Sequence, residues 1–480
     1  MTKEKPITEC IYPSPGNPHK VARKLIDRHF TDQHGDRTLV RWRGQWWQWV
    51  GPSWVTLPES ELRPQLWEHL SDAEYISKSG DKVIRVPWSP TRSKISDVLD
   101  ALQAHCIRSA RRGAPEWSSE APYAPGEIIA CQNALVHFPT RETIDHDPNF
   151  FNTVAVPFDF KPTARASAWE AFLSQVFGGD EESIHLIQEW FGYVISGRTD
   201  MQKMLLLIGP SRSGKGTIAR VLQHLVGIDN TAGPTLASMS TNFGLQTLIG
   251  RYLAIVADAR LHPRDSRQVV ERLLSISGED MLTIDRKYAD PWTGTLDTRI
   301  MILSNELPRF GDASSAIVNR FMALRTKKSY LGKEDTGLTS KLLAELPGIF
   351  VWALDGLDRL IENGGFTTPD SMAEEMDTMR ELSSPLILFA EEECAVSGDE
   401  TEFEEIDHVY PRYRQWALDA GHTPLGKTQF YESLPNAVPR IRGRRPRRAD
   451  GTRPRVFEGM RLRDSSPALT GWATHHRSSA

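Results

Sequence analysis

The chain has 480 residues, of which 39% are hydrophobic and 25% are charged, the balance of a folded multidomain protein and not of a disordered or fibrous chain. Because the net charge is −5, any contact with nucleic acid must come from local basic surface. With no run of about eighteen apolar residues, no secretion signal and four widely spaced cysteines, we expect a cytoplasmic protein without a membrane span, a disulfide framework or a structural zinc module.

The N-terminal third predicts an arm and a small α+β domain. Residues 1–20 are rich in proline and polar residues, which indicates a flexible arm, and residues 21–160 are interpreted as an α+β unit. The stretch 40–50 carries four tryptophans and a turn at Arg43 and Gly44, which predicts paired strands. Tryptophans in strands more often form a core than stack on bases. A helix is predicted over 94–108, and a strand with a turn over 128–138.

The strongest motif follows a predicted helical collar, residues 161–200, which contains an amphipathic helix over 181–195. It opens the predicted motor core, residues 201–345. The apolar strand 204–208 leads into a glycine loop and then a helix at 218–226, the context of a phosphate-binding loop. Lys215 is expected to contact the β- and γ-phosphates of ATP. Gly216 stands where Ser or Thr usually follows the lysine, so Thr217 is the predicted Mg²⁺ ligand. The predicted nucleotide-binding residues are Gly209, Ser213, Gly214, Lys215, Gly216 and Thr217.

Two further buried strands end in polar residues. The strand 252–257 ends at Asp258, a carboxylate suited to hold Mg²⁺ beside the loop. Ala259 replaces the usual second acid, which leaves the catalytic base open between Asp258, Glu271 and Glu279. The strand 299–304 ends at Asn305, an amide suited to position water or to contact the γ-phosphate, although asparagine is also common in turns.

Two basic features accompany these strands. Arg320 lies among apolar residues, as an arginine finger acting on a neighbouring subunit's ATP would, or as one half of a buried ion pair; it is preferred over Arg325. Arg286, Lys287 and Tyr288 follow strand-like residues and suit a loop that grips a phosphate backbone and stacks on a base. A solvated charged turn is the alternative for that loop.

The C-terminal part predicts a connector, residues 346–384, a winged-helix-like unit, residues 385–465, and a disordered tail, residues 466–480. Helices are predicted at 386–394, 406–420 and 427–434, followed by a basic hairpin. Ten arginines lie between Arg440 and Arg463, against the acids Asp450, Glu458 and the adjoining Asp464. Positive charge is therefore concentrated in this unit.

The order of these motifs resembles superfamily 3 helicases, specifically the motor of phage and plasmid primase-helicases. The resemblance covers about residues 125–463 and implies an AAA+ type P-loop ATPase core in an α/β fold. It also implies a homo-oligomeric ring, a hexamer, with ATP between subunits and Arg320 acting in trans. Arg286 and Lys287 then sit on pore hairpins that draw single-stranded DNA in the 3′ to 5′ direction. The stretches that carry the resemblance, besides the phosphate loop, are 177–180, 191–197, 253–260, 345–349 and 352–356.

The flanking regions extend the resemblance. The N-terminal region is similar to the poxvirus-primase-type helicase region, and the tail is similar to the family's DNA-binding unit, with Lys427 and Gln429 as expected contacts. The metal-binding acids of a primase-polymerase domain are not found upstream, so primer synthesis is not predicted. Either a separate primase or polymerase supplies it, or this protein only unwinds and loads. The arginines of the wing that are expected to contact DNA are Arg442, Arg444, Arg445, Arg447 and Arg448.

The sequence thus predicts an ATP- and Mg²⁺-dependent DNA helicase of phage or plasmid replication, acting on single-stranded and forked DNA in the cytoplasm of a bacterial host cell. An ATP-gated origin-binding or assembly protein without unwinding is kept open by Ala259. A nucleotide kinase is permitted by the Gly-Lys-Gly-Thr ending of the loop. A ring repurposed for anti-phage defence or DNA packaging also remains open.

Overall fold

The computed structural model describes residues 11–79, 82–110, 112–257, 259, 266–287, 289–308, 316–333, 335–419, 422, 424–447 and 452–463. Three predicted site residues, Asp258, Tyr288 and Arg448, lie outside these ranges.

The N-terminal unit packs three helices and a three-stranded antiparallel meander into one hydrophobic core. The first three strands pair in sequence order, the fourth and fifth form a hairpin, and the first and third helices pack together. Trp42, Trp46 and Trp54 are buried, which confirms the core interpretation for these three, whereas Trp47 and Trp49 are partly exposed. The elements are α1 (Pro18–His29), β1 (Leu39–Trp42), β2 (Gln45–Trp49), β3 (Trp54–Leu57), α2 (Glu59–Ser71), β4 (Glu74–Ser79), β5 (Lys82–Pro87) and α3 (Arg92–Cys106).

Short strands and two helices link this unit to the central sheet. The strand and turn predicted over 128–138 are confirmed as two antiparallel strands, and the predicted helix at 181–195 is confirmed with the same bounds. The elements are β6 (Glu116–Trp117), β7 (Ile128–Ala130), β8 (Leu135–His137), β9 (Thr143–Ile144), β10 (Phe150–Phe151), α4 (Ser167–Phe177) and α5 (Glu181–Ile195).

The central region is built on a parallel sheet of five strands. Each of the three strands predicted from apolar runs is present, and all five residues of the first are buried. The elements are β11 (Met204–Ile208), α6 (Lys215–Val226), β12 (Thr231–Ala232), α7 (Leu236–Met239), β13 (Leu253–Val256), α8 (Ser266–Ser277), β14 (Leu282–Arg286), β15 (Ala289–Gly294), β16 (Arg299–Ser304) and β17 (Phe321–Arg325).

The strand order in this sheet is β12-β13-β16-β11-β17, and every pairing is parallel. A glycine loop after the central strand β11, followed by α6, is consistent with a P-loop-like core. Helix α6 begins at Lys215 and not at the predicted Ile218. The periodicity of apolar residues missed this first turn because Lys215, Gly216 and Thr217 carry no apolar side chain of that pattern.

Four helices follow the sheet. Helix α10 packs along α5, and both share one hydrophobic core with β11 and α6, so the predicted collar and connector contribute helices to the packing around the sheet. Helix α11 packs against β17. The elements are α9 (Leu338–Leu343), α10 (Leu346–Asn363), α11 (Asp370–Ser383) and α12 (Pro385–Glu393).

The C-terminal unit confirms the three predicted helices within a few residues. Helices α12, α13 and α14 surround an aromatic core that includes Phe389, Tyr413 and Phe430. The predicted hairpin is larger than expected, because β19 joins its two strands in the order β19-β21-β20 and β18 pairs with β22. The elements are β18 (Cys394–Val396), β19 (Phe403–Glu405), α13 (Ile406–Asp419), α14 (Lys427–Ala437), β20 (Arg442–Arg444), β21 (Val456–Glu458) and β22 (Met460–Leu462).

Within the described part of the chain, none of the helices combines the length and the apolar character needed to cross a membrane.

Candidate functional site: a phosphate loop at the sheet edge

The loop between β11 and α6 requires glycine at two positions. Gly209 has φ of +147°, and a Cβ there would lie 2.1 Å from Thr326 Oγ1. Gly214 has φ of +98°, and its Cβ would lie 2.8 Å from a methyl group of Val176 on α4. A side chain at either position would collide with packed atoms and strain the backbone. The loop is therefore held in one shape by β17 on one side and α4 on the other.

Lys215 folds back over this loop. Its Nζ donates hydrogen bonds to Gly209 O at 2.6 Å and Pro210 O at 2.9 Å, and it lies 3.4 Å from Ser213 Oγ. The side chain is buried, and burial lowers the pKa of Lys215 below its ordinary value. These partners are neutral carbonyl and hydroxyl oxygens, so a polyphosphate would be a stronger acceptor for the same ammonium group. The ammonium group of Lys215 is therefore a donor suited to a phosphate group.

The parallel register brings Asn305 to the same place. Ile208, which precedes the loop, pairs with Ser304 on β16, and Lys215 Nζ lies 3.5 Å from Asn305 Oδ1. Thr217 stands in the first turn of α6, where its backbone N–H donates to Gly214 O at 3.0 Å. The structure thus gathers Lys215, Thr217 and Asn305 around the end of β11.

Asp258 lies outside the described residues, but its strand can be located. Strand β13 is parallel to β16 and pairs Val256 with Ile302, so it ends toward the same edge as Asn305. Among the residues that the structure describes, no group of three or more His, Cys, Asp or Glu side chains is arranged to hold a metal ion.

Thr326 is a site residue that the sequence did not indicate. It is fully buried directly after β17, and its Oγ1 lies 2.6 Å from Ser213 Oγ and 3.1 Å from Ile208 O. Ser329 Oγ donates to Ser211 O at 2.8 Å, and Tyr330 N donates to Arg212 O at 2.9 Å. The segment after β17 therefore braces the glycine loop between β11 and α6, through contacts between residues more than a hundred positions apart in sequence.

Arg320 lies at the opposite end of the parallel strands from Lys215, because it precedes β17 whereas Lys215 follows β11. Phe321 pairs with Met204 at the start of β11, and Arg325 pairs with Ile208 at its end. Five residues of strand span roughly 16 Å, so Arg320 stands far from the Lys215 of its own chain. Its guanidinium Nη1 donates to the side-chain oxygen of Gln202.

Arg325, the alternative to Arg320, and Glu279, one of the alternative catalytic bases, have different surroundings. Arg325 lies at the phosphate edge but forms a bidentate ion pair with Glu375, with Nη2 2.7 Å from Oε2. Glu279, one of the possible bases, accepts hydrogen bonds from Thr199 and Gln202, which precede β11. Glu279 is therefore at the wrong edge of the sheet to act on a nucleotide bound by the same chain.

The hairpin β14–β15 carries the basic residues predicted to contact DNA. Arg286 Nε donates to Asp290 O at 2.7 Å, which closes the turn, and Lys287 N donates to Gln246 Oε1 at 3.1 Å. Lys287 Nζ lies 5.8 Å from the ring centroid of Phe243, which is 43% exposed. An exposed aromatic beside a basic hairpin tip suits stacking on a base. Only an isolated aromatic in a polar segment could have indicated Phe243 from the sequence.

The predicted DNA contacts of the C-terminal unit fall into two groups. The first group pairs with acids: Lys427 with Asp407, Arg442 with Glu400, and Arg444 with Glu458 at 3.1 Å. The second group is exposed without an ion pair among the described residues, and Arg445 lies 6.0 Å from the ring of Tyr431. The members of this second group are Gln429, Arg445 and Arg447.

Three family models match successive parts of the chain. The family described as D5 N terminal like matches residues 22–178, a family of unknown function matches residues 207–320, and the family described as Poxvirus D5 protein-like matches residues 383–456. The two D5 matches relate residues 22–178 and 383–456 to D5-like proteins.

Individual proteins and solved structures that are similar to this chain share low sequence identity with it. The uncharacterized mitochondrial protein ymf21 of Marchantia polymorpha is 29% identical over 93 residues, which cover 19% of this chain and about half, 49%, of that protein. Two apo structures of the NrS-1 C-terminal region are 12% and 14% identical, each with a TM-score of 0.48. Each alignment covers 88% of this chain, and 97% and 96% of those chains respectively.

Proposed function

We propose that the chain is an ATP-dependent DNA helicase of phage or plasmid replication, with a superfamily 3 motor of the AAA+ type. The observation that carries the proposal is the contact of Lys215, at the start of α6, with Asn305, which directly follows β16, the parallel neighbour of β11. A cation from a glycine loop and an amide from the neighbouring strand end are the two groups that a γ-phosphate and its attacking water require.

The nucleotide chemistry follows from these side chains. In the proposal, Lys215 exchanges its carbonyl partners for the β- and γ-phosphates, and the N–H groups at the start of α6 hold the phosphate charge. Asn305 orients the attacking water. Thr217 and Asp258 would hold Mg²⁺, which neutralises charge that develops on the phosphate oxygens.

A ring accounts for the position of Arg320. Its distance from the Lys215 of the same chain means that it can serve only a nucleotide bound elsewhere, and a partner subunit in a homo-oligomer supplies one. Arg325 is tied to Glu375 in the chain's own fold. The proposal therefore assigns Arg320 to the nucleotide of the adjacent subunit in a hexamer.

DNA contacts are assigned to two surfaces. Single-stranded DNA would meet the tip of β14–β15, where Lys287 contacts the backbone and Phe243 stacks on a base. The C-terminal unit, with its three helices and basic hairpin, would act as a winged-helix-like contact with the duplex arm of a fork. In this proposal the protein works in the cytoplasm of a bacterial host, and a separate primase or polymerase synthesises primers.

A second candidate is an ATP-gated origin-binding or assembly protein that does not unwind. Two observations favour it: Ala259 follows Asp258, and Glu279 lies at the opposite end of the strands, where it cannot act as base for the same chain. A site without an efficient base would bind ATP and hydrolyse it slowly.

Strand displacement distinguishes the two candidates. A forked duplex with a labelled strand is incubated with the full chain and either ATP with Mg²⁺ or a non-hydrolysable ATP analogue with Mg²⁺. The helicase proposal expects strand displacement with ATP and Mg²⁺ but not with the non-hydrolysable analogue and Mg²⁺. Fork binding that both nucleotides support equally, without displacement, would favour the gated binding protein.

A further inference from the structure

The guanidinium of Arg320 is held by a neutral group. Its Nη1 donates to Gln202 Oε1 and lies 3.5 Å from Gln202 O. Among the described residues, no carboxylate is in ion-pair contact with Arg320, although Glu279 is nearby. Arg320 is partly buried, and the fork geometry of its guanidinium would match a carboxylate. An amide partner leaves the full positive charge available to another ligand.

Gln202 also faces that acid. Its Nε2 lies 3.4 Å from Glu279 Oε2 and 3.5 Å from Gly278 O, and Glu279 Oε1 accepts a hydrogen bond from Thr199. The amide thus presents its oxygen to the cation and its nitrogen to the anion, which is the orientation that satisfies both neighbours. Gln202 stands between Arg320 and Glu279 as a neutral spacer.

A second partly buried cation, Lys203, lies beside Arg320, and the backbone at Gln202 is held in an unusual conformation. Lys203, the next residue, donates from Nζ to Asn319 O at 2.6 Å, and burial together with the charges of Arg320 and Arg380 lowers the pKa of Lys203. Gln202 has φ of +54°, a backbone conformation that side-chain-bearing residues rarely adopt. Backbone strain of this kind persists only where surrounding contacts hold it. It occurs two residues before β11, the strand that leads into the phosphate loop.

We infer that Gln202 is the positioning residue for Arg320: it orients the guanidinium toward the γ-phosphate of ATP on the adjacent subunit and keeps Glu279 from neutralising it. This inference rests on the proposed function. A carboxylate at position 202 would replace the neutral hydrogen bond with a charge-assisted pair, which would hold Arg320 in its own subunit.

The test is steady-state ATP turnover with saturating single-stranded DNA. The variants are Gln202→Glu, Arg320→Ala as the reference for loss of the finger, and Gln103→Glu, which adds the same charge on an exposed face of α3. Loss of an arginine finger lowers kcat by about 10³-fold or more. Gln202→Glu is expected to lower kcat at least about ten-fold with KM for ATP changed less than about two-fold, and Gln103→Glu is expected to match the wild type.

Mixing subunits separates positioning from misfolding. Gln202→Glu retains its phosphate loop, and Lys215→Ala retains its Arg320, so a mixed ring places an intact finger beside an intact loop. We expect the mixture to turn over more ATP than the sum of the two variants alone. A wild-type kcat for Gln202→Glu, or a mixture that assembles without gaining activity, would overturn the inference. Absence of turnover in the wild type, or full turnover in Arg320→Ala, would contradict the proposed function itself.

Discussion

Lys215 Nζ lies 3.5 Å from Asn305 Oδ1, although the two residues are 90 positions apart in the chain. The contact exists because β11 and β16 are adjacent and parallel, so that the residues following them reach the same edge of the sheet. The amide oxygen is the most distant of the acceptors around the ammonium group. A phosphate entering the loop would therefore meet both side chains.

Replacing Asn305 tests the role of this amide. Asn305→Ala is expected to lower kcat by about 10²-fold, the typical loss for one preorganised polar group, while ATP binding persists through Lys215 and the loop. Steady-state kinetics and binding of a fluorescent ATP analogue measure the two effects separately. Asn363→Ala, at the exposed C-terminal end of α10, is the matched control. A rise in KM without a fall in kcat would assign Asn305 to binding alone.

Thr326 provides a test of the brace on the phosphate loop. Thr326→Val keeps the shape of the side chain but leaves Ser213 Oγ and Ile208 O without their buried partner, at a cost of about 1–3 kcal/mol. We expect weaker ATP binding and a lower unfolding temperature for this variant. Thr326→Ser retains the hydroxyl and should behave like the wild type in ATP titrations. If Val and Ser bind ATP equally well, the hydroxyl does not shape the loop.

Phe243 is expected to contribute to binding of single-stranded DNA. Stacking on one base is worth about 1–3 kcal/mol, so Phe243→Ala should weaken the affinity for single-stranded DNA by about 5- to 150-fold.

Lys287→Ala should instead reduce the slope of log affinity against log salt by about 0.7, because one phosphate contact is lost. Fluorescence anisotropy at several salt concentrations measures both. Phe403→Ala removes an exposed phenylalanine, 54% exposed, from the C-terminal unit and serves as the control; an equal loss in this variant would argue against a specific contact at Phe243.

The C-terminal arginines are expected to contribute unequally to duplex binding. Arg442 and Arg444 must leave Glu400 and Glu458 before they contact phosphate, which costs up to about 1 kcal/mol for each exposed pair. The double variant of Arg445 and Arg447 to alanine should therefore lose more affinity and more salt dependence than the double variant of Arg442 and Arg444. A larger loss in the Arg442 and Arg444 variant would reverse this assignment.

The sequence predicted the features that depend on local pattern. Buried strands appear as apolar runs, and the loop after β11 appears as glycines between a strand and a helix, so β11, β13, β16 and the later turns of α6 could be placed before the structure, whereas the first turn of α6 was missed. Thr326, Gln202 and Phe243 could not, because each acts through a contact made by distant chain segments; Thr326 and Ser213 are 113 residues apart. The ion pairs of Arg442 and Arg444 with acids could not be predicted for the same reason.

The central claim is that DNA-stimulated ATP hydrolysis occurs at the loop that carries Lys215. The most direct test is ATP turnover with and without single-stranded DNA, for the wild type, Lys215→Ala and Lys20→Ala, an exposed lysine of α1. We predict that DNA raises turnover in the wild type and in Lys20→Ala, and that Lys215→Ala loses about 100-fold or more in either condition. Wild-type turnover that is indifferent to DNA, or turnover that survives in Lys215→Ala, would contradict this account.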